Sequence, residues 1–270
     1  MGYWIWCVCA LLGLGLKNLP FMWHFRFFGA LSMGYFARRR PSHALKQHHV
    51  FFHAVLKSRS PATECDFNLH KSNSTYFTDL DISRAHLSGL LFAPILFRKI
   101  KSMSCNFIVS AITCTFHREI EPYRPYKVWT RVAAWDDKWI YMVTHFVDNS
   151  KKMTGLAPHE EARHKNVFAS AVTRMVFKRG RLTVPPECAL EICGLLSAST
   201  AGSPTAASHT DTRTGAKEPA ISCHEWTLEE IVSHKKANLP IVRLERGWDA
   251  VRELFCEERL ALAEYRDFMW

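Results

Sequence analysis

No two of the nine cysteines in this sequence are spaced C-x-x-C, and their number is odd. That argues against a disulfide framework or a zinc ribbon and for a reducing compartment. The H-E-x-x-H zinc motif is missing too: in His159-Glu160-Glu161-Ala162-Arg163-His164 the second histidine comes one position late. His48, His49 and His53 lie close together, but on a strand only His49 and His53 would share a face, so no metal is expected. Neither G-x-x-x-x-G-K-[ST] nor G-x-G-x-x-G occurs, which removes support for nucleotide hydrolysis and for a dinucleotide cofactor; no cofactor of any kind is expected. Without G-x-S-x-G a Ser-His-Asp hydrolase is also disfavoured. Aromatic and basic residues do not alternate along any one face, so nucleic acid is not an expected partner. Acidic residues are the scarcer charge, 25 against 35 basic, for a net +10. That balance suits acidic partners such as a phosphate-bearing substrate or an anionic membrane face.

What is present begins with an uncharged run, Gly2 to Leu16, closed by Lys17. It is short for a membrane span, which needs about 20 apolar residues. It also lacks the basic start and cleavage site of a secretory signal. A second aromatic segment follows and ends in Arg38-Arg39-Arg40. Two readings fit residues 1–44: a hydrophobic arm docked on the domain, or a membrane anchor. In the second, the positive charge after the run keeps the body of the protein on the cytosolic side.

Residues 48–60 read as a strand ending at Pro61. Tyr76, Leu80, Leu87 and Leu91 recur on one face of a helix, expected to close near Gly89 and Pro94. Strand-like runs follow at 105–120, 126–135, 139–148 and 166–182, with Asp136-Asp137-Lys138 as a hairpin turn. Residues 197–224 are rich in Ser, Thr, Ala and Gly and read as a flexible insertion; 225–270 read as a helical extension of two helices. The order strand, helix, strand meander predicts an α+β fold, a single domain over 45–196 in which an antiparallel sheet wraps around one long helix. In 105–116 both alternating faces are apolar: Phe107, Val109 and Ala111 on one, Ile108, Ile112 and Phe116 on the other. A sheet with one solvated face would show polar residues there, so helices or a second subunit are expected to cover it.

The chemically richest stretch is Glu64 to Phe77, where Asp66, Asn68 and His70 alternate just ahead of the long helix. In extended backbone such residues point to one side. Two readings fit. Asn73 or Ser74 is the helix N-cap and Asp66 satisfies a turn. Alternatively, the free N–H groups and positive end of the helix polarise a substrate carbonyl, with Asp66 as general base or nucleophile, Asn68 orienting carbonyl or water, and His70 shuttling a proton or holding Asp66.

The string Asp66-x-Asn68-x-His70-x-Ser72-Asn73-x-x-Tyr76 resembles the D-x-N-x-H-x-N-N-x-x-Y signature of the hotdog acyl thioesterases, with Ser72 in place of the first Asn of the pair. The hairpin Trp135-Asp136-Asp137-Lys138-Trp139-Ile140-Tyr141 is similar to that of the animal thioesterase superfamily members of the sixth type, and the chain as a whole resembles thioesterases of fungal secondary-metabolite clusters. The resemblance covers roughly residues 45 to 185. It implies a hotdog fold, a homodimer, and hydrolysis of an acyl thioester carried on coenzyme A or on an acyl carrier protein. It makes Asp66, Asn68 and His70 catalytic, and Asn73, Ser74 and Tyr76 substrate-binding. The alternative is a catalytically silent hotdog scaffold that binds acyl chains or a partner at a membrane. Basic clusters at Arg98-Lys99-Lys101, Arg163-His164-Lys165 and Lys178-Arg179-Arg181 are candidates for the phosphates of the thiol carrier.

Overall fold

In the computed structural model the described residues are 2–4, 6, 16–40, 45–97, 105–149, 166–196, 226–257 and 261–267. The insertion expected at 197–224, most of the run from 2 to 16, and the basic clusters at 98–101 and 163–165 lie outside them. In chain order the elements are α1 (Met22–Arg38), β1 (His53–Arg59), α2 (Asn73–Phe97), β2 (Asn106–Phe116), β3 (Pro125–Trp135), β4 (Ile140–Asp148), β5 (Val167–Arg179), β6 (Leu182–Val184), α3 (Pro186–Ile192), α4 (Leu228–Val242), α5 (Gly247–Glu257) and β7 (Ala261–Arg266).

Helix α2 is buried on nearly every side, its polar Asp79, Ser83, Arg84 and His86 included, so it lies inside the fold. One end packs Tyr76, Leu80 and Ile82 against Leu56, Val128, Phe146 and Phe168; the other packs Leu87, Leu91 and Phe92 against Val132, Trp135, Met142 and Phe177. The sheet around it runs β2-β5-β4-β3-β1-β7, with β6 on β5. Its pairings are antiparallel except β1 with β7. This is the hotdog arrangement expected from the sequence. The β3–β4 turn is also as expected: Asp136 Oδ1 accepts the N–H groups of Lys138 (3.0 Å) and Trp139 (2.7 Å), an Asx turn.

Three elements differ from the sequence reading. First, α2 does not close at Gly89 and Pro94 but runs to Phe97. Pro94 cannot donate to the carbonyl four residues back, which is that of Leu90. Arg38 Nη1 supplies the missing donor to Leu90 O (2.9 Å) and also serves Leu91 O (2.8 Å). Gly89 is a contact point rather than a terminator. A Cβ there would stand 2.2 Å from Leu31 O, and one at Gly34 would stand 2.3 Å from His86 O, so α1 and α2 touch backbone to backbone. Second, the C-terminal region is not purely helical: Ala261–Arg266 form β7, parallel to β1. Third, strand β1 starts at His53, because Gln47–Phe51 make a 3₁₀ turn.

The apolar outer face of the sheet is covered by the chain itself. Val242 of α4 and Val251 and Leu254 of α5 pack on Ala133, Tyr141, Val143 and Val172. Strand β2 ends the sheet and keeps Ile108, Val109 and Phe116 exposed.

A buried ionic cage ties the termini to this core. Asp79 of α2 meets Lys71 (2.9 Å), Arg26 of α1 (2.9 Å) and Lys17 (3.3 Å). Glu64 meets Lys71 (2.6 Å) and Lys17 (3.2 Å), and Arg26 also meets Asp267 (2.6 Å). Tyr126 donates to Asp79 at 2.5 Å. Three cations thus balance three carboxylates away from water. Residues 16–40 are built into the domain: cutting the chain at residue 41 would remove Lys17 and Arg26 and strand the carboxylates they neutralise.

Candidate active site

The segment that carries Asp66 is a tight loop, not extended chain. An isolated antiparallel bridge between Cys65 and Lys71 closes it. Asp66 N–H donates to His70 O (2.9 Å), and Leu69 N–H donates to Asp66 O (3.0 Å). Leu69 takes a φ of 62°, the left-handed conformation the turn requires. Asp66 Oδ1 accepts Asn68 N–H at 2.9 Å. The spacing-two argument therefore fails, because a turn does not alternate. Asp66 and His70 meet at the loop's mouth, with Oδ1 to Nδ1 at 3.9 Å. Asn68 sits exposed at the tip.

The loop opens on a cleft of about 530 Å³. Asp66, His70, Asn73 and Tyr76 line it together; Asn68 and Ser74 do not. Asn68 is thus not positioned for the orienting role read from its spacing. The Ser74 hydroxyl instead contacts Ser72 Oγ at 3.1 Å. At this end of α2, Thr75 N–H turns back to Ser72 O (2.9 Å). Among the described residues no hydrogen bond engages the Asn73 and Ser74 amides, the donors a helix start leaves open.

The far wall, missed in the sequence, is the segment after β2: His117, Arg118, Glu119 and Glu121, with Arg124 beyond. Glu119 Oε2 lies 3.2 Å from His70 Nε2, so the imidazole sits between two carboxylates. Lys71 N–H donates to Ile120 O (2.8 Å) and pins this wall to the loop. His117 Nε2 hydrogen-bonds Ser170 Oγ (3.1 Å); burial and then Arg252 lower its pKa, against Asp249. The visible signal was a dense set of ionisable residues directly after an apolar strand.

The floor is electrostatically fixed. Burial pulls the Lys71 ammonium down, but Asp79 and Glu64 outweigh it and leave its pKa raised. Burial would raise Asp79, yet Lys17, Lys71 and Arg26 hold it well below the carboxylate range. Burial, with Cys114 and Asp79, pushes the Tyr76 phenol up, so it stays protonated. Its ring meets Phe116 (5.0 Å) and Phe146 (4.8 Å) edge-on, giving the cleft an apolar inner side. A carboxylate, an imidazole and open helix-start amides around one cleft suit attack of water on a carbonyl.

The family model described as thioesterase-like superfamily matches residues 60–191. The chain is 39% identical over 211 residues to the probable thioesterase atnL of Emericella nidulans, covering 67% of this chain and 68% of that one. It is 39% identical over 207 residues to the thioesterase poxG of Penicillium oxalicum, covering 68% of each. To the probable thioesterase YBR096W of Saccharomyces cerevisiae it is 33% identical over 199 residues, covering 70% of this chain and 80% of that one.

Proposed function

We infer the activity of this chain from the premise that it belongs to the thioesterase-like superfamily: it is an acyl thioesterase that hydrolyses its substrate in the cleft at the start of α2. The observation that carries this reading is the placement of Asp66 beside His70, Asn73 and Tyr76 around that cleft. The Asp66 carboxylate takes a proton from water as the water oxygen attacks the thioester carbonyl. The oxyanion that forms is held by the Asn73 and Ser74 amides, which point along the helix dipole. Collapse breaks the carbon–sulfur bond; the thiolate leaves and takes up the proton, and the acid is released. His70, between Asp66 and Glu119, orients the base. The acyl chain runs inward past Tyr76 and Phe116. A secondary-metabolite acyl or polyketide chain on coenzyme A or a carrier protein is the proposed substrate, by likeness to the fungal relatives. The test is thiol release by the full chain from acyl-coenzyme A thioesters of graded length. Steady turnover on at least one supports the reading; none on any, with acyl chains still bound, favours the silent scaffold.

The proposed assembly is a homodimer joined at β2. Among the described residues nothing pairs with the outer side of that strand, which exposes Ile108, Val109 and Phe116, an edge proteins normally protect. Light scattering should give twice the 31.1 kDa chain mass, and Val109→Lys should shift it toward the monomer. A monomeric wild type that hydrolyses thioesters at micromolar concentration would defeat a shared site.

The proposed location is the cytosolic face of a membrane. Helix α1 exposes Phe25, Phe28 and Phe36 along one side and contains no acidic residue, a composition suited to the lipid interface. Flotation with phosphatidylcholine–phosphatidylserine vesicles, lost on Phe25→Ser/Phe28→Ser/Phe36→Ser, is the expected result; equal flotation of both proteins would oppose it.

A further inference from the structure

The structure holds a second cleft of about 410 Å³. Arg124 lines the active-site cleft and its neighbour Pro125 lines the second. Arg124 also pairs with Asp148 (2.6 Å), and the next residue, Asn149, lines the second cleft. The two cavities are therefore lined in part by consecutive residues of the same segments.

The cations Lys57, Arg59 and Arg266 line the second cleft, and Lys127, outside its lining, continues their row. Lys57 of β1 is directly opposite Lys127 of β3 on one side and Arg266 of β7 on the other. Laterally paired residues point to the same face, so three cations line up across three adjacent strands. Arg59, two residues along β1, adds a fourth on that face. Among the described residues lining the cleft, the acid is Glu264, ion-paired to Lys57. Like charges directly opposite in a sheet destabilise it. A row of them beside a concavity, with Arg59 and Arg266 exposed, is an arrangement that gains from an anion spanning several strands.

We propose that this cleft binds phosphate groups, and that its ligand is the phosphorylated nucleotide end of a coenzyme A thioester whose acyl end enters the first cleft. The identity of the ligand rests on the thioesterase reading; the phosphate site itself does not. Arginine forks bind phosphate oxygens in pairs and the lysines add charge. Such contacts strengthen substrate binding equally in the ground and transition states, so they act on KM and not on kcat.

The test uses full-length protein and the variant Arg59→Ala/Lys127→Ala/Arg266→Ala, with thermal unfolding to confirm that both are folded. Calorimetric titration with adenosine 3′,5′-bisphosphate should show binding to wild type that weakens with salt, and at least about tenfold weaker binding to the variant, since a hydrogen bond to a charged group carries that much. KM for an acyl-coenzyme A should rise by a similar factor at unchanged kcat. The same acyl group on N-acetylcysteamine, which has no phosphate, should be hydrolysed equally by both proteins. Absence of nucleotide binding to wild type at millimolar concentration would overturn the site. Binding that the variant loses while KM for acyl-coenzyme A stays constant would overturn the assignment to the substrate. If wild type hydrolyses neither thioester yet binds nucleotide in a variant-sensitive way, the thioesterase reading fails and the phosphate site stands.

Discussion

Asp66→Asn is expected to lower kcat for thioester hydrolysis by about 100-fold or more, the scale on which a general base contributes. Asparagine keeps an oxygen where Asp66 Oδ1 now accepts Asn68 N–H at 2.9 Å, so the loop that presents the side chain keeps its closing bond. What the substitution removes is the basic lone pair and the negative charge, which serve a base and a nucleophile alike. His70 and Glu119 stay in place, so the loss reports on the carboxylate itself. Circular dichroism should match wild type. A folded variant with undiminished turnover would take Asp66 out of the chemistry.

Asp79→Asn is expected to produce the largest loss of stability. In the wild type, three cations and three carboxylates neutralise one another in the cage around Asp79. The substitution leaves a net buried positive charge facing an amide, and removing one partner of a buried ionic group costs about 3–5 kcal/mol. For a chain of this size that corresponds to a fall in Tm of roughly 10 °C. Because the folded state holds Asp79 well below the ordinary carboxylate value, its contribution is present above that ordinary value and is lost as pH falls through the depressed one. The difference in Tm between wild type and variant should therefore narrow in strong acid. A variant melting within a degree or two of wild type at neutral pH would mean that the cage contributes little.

How far the sequence could be read depends on whether a contact is local. The α2 face at Tyr76, Leu80, Leu87 and Leu91, the Asp136 turn and the strand meander are written in neighbouring residues, and their periods were visible. Pro94 looked like a helix end because its remedy, the Arg38 guanidinium on Leu90 O, comes from another helix. The stretch that becomes β7 looked helical because its partner, β1, lies some 200 residues earlier, and parallel pairing leaves no turn signal between the two strands. At the site, the helix start and Asp66 were legible as a motif. Asn68 was placed by an alternation that exists only in extended chain, whereas Leu69 at φ 62° turns the backbone back. Glu119 and His117 enter only through folding: Lys71 N–H to Ile120 O joins their segment to the loop, and no local pattern announces that bond.

The central claim is that the substrate carbonyl is activated where α2 begins. It is tested most directly by a crystal structure of the protein with an acyl-coenzyme A analogue in which a methylene replaces the thioester sulfur. The ketone oxygen is predicted to accept hydrogen bonds from the Asn73 or Ser74 amide at about 2.7–3.2 Å, with the Asp66 carboxylate on the side from which water would attack. A ketone bound elsewhere, with the cleft between Asp66 and Glu119 left to solvent, would contradict it.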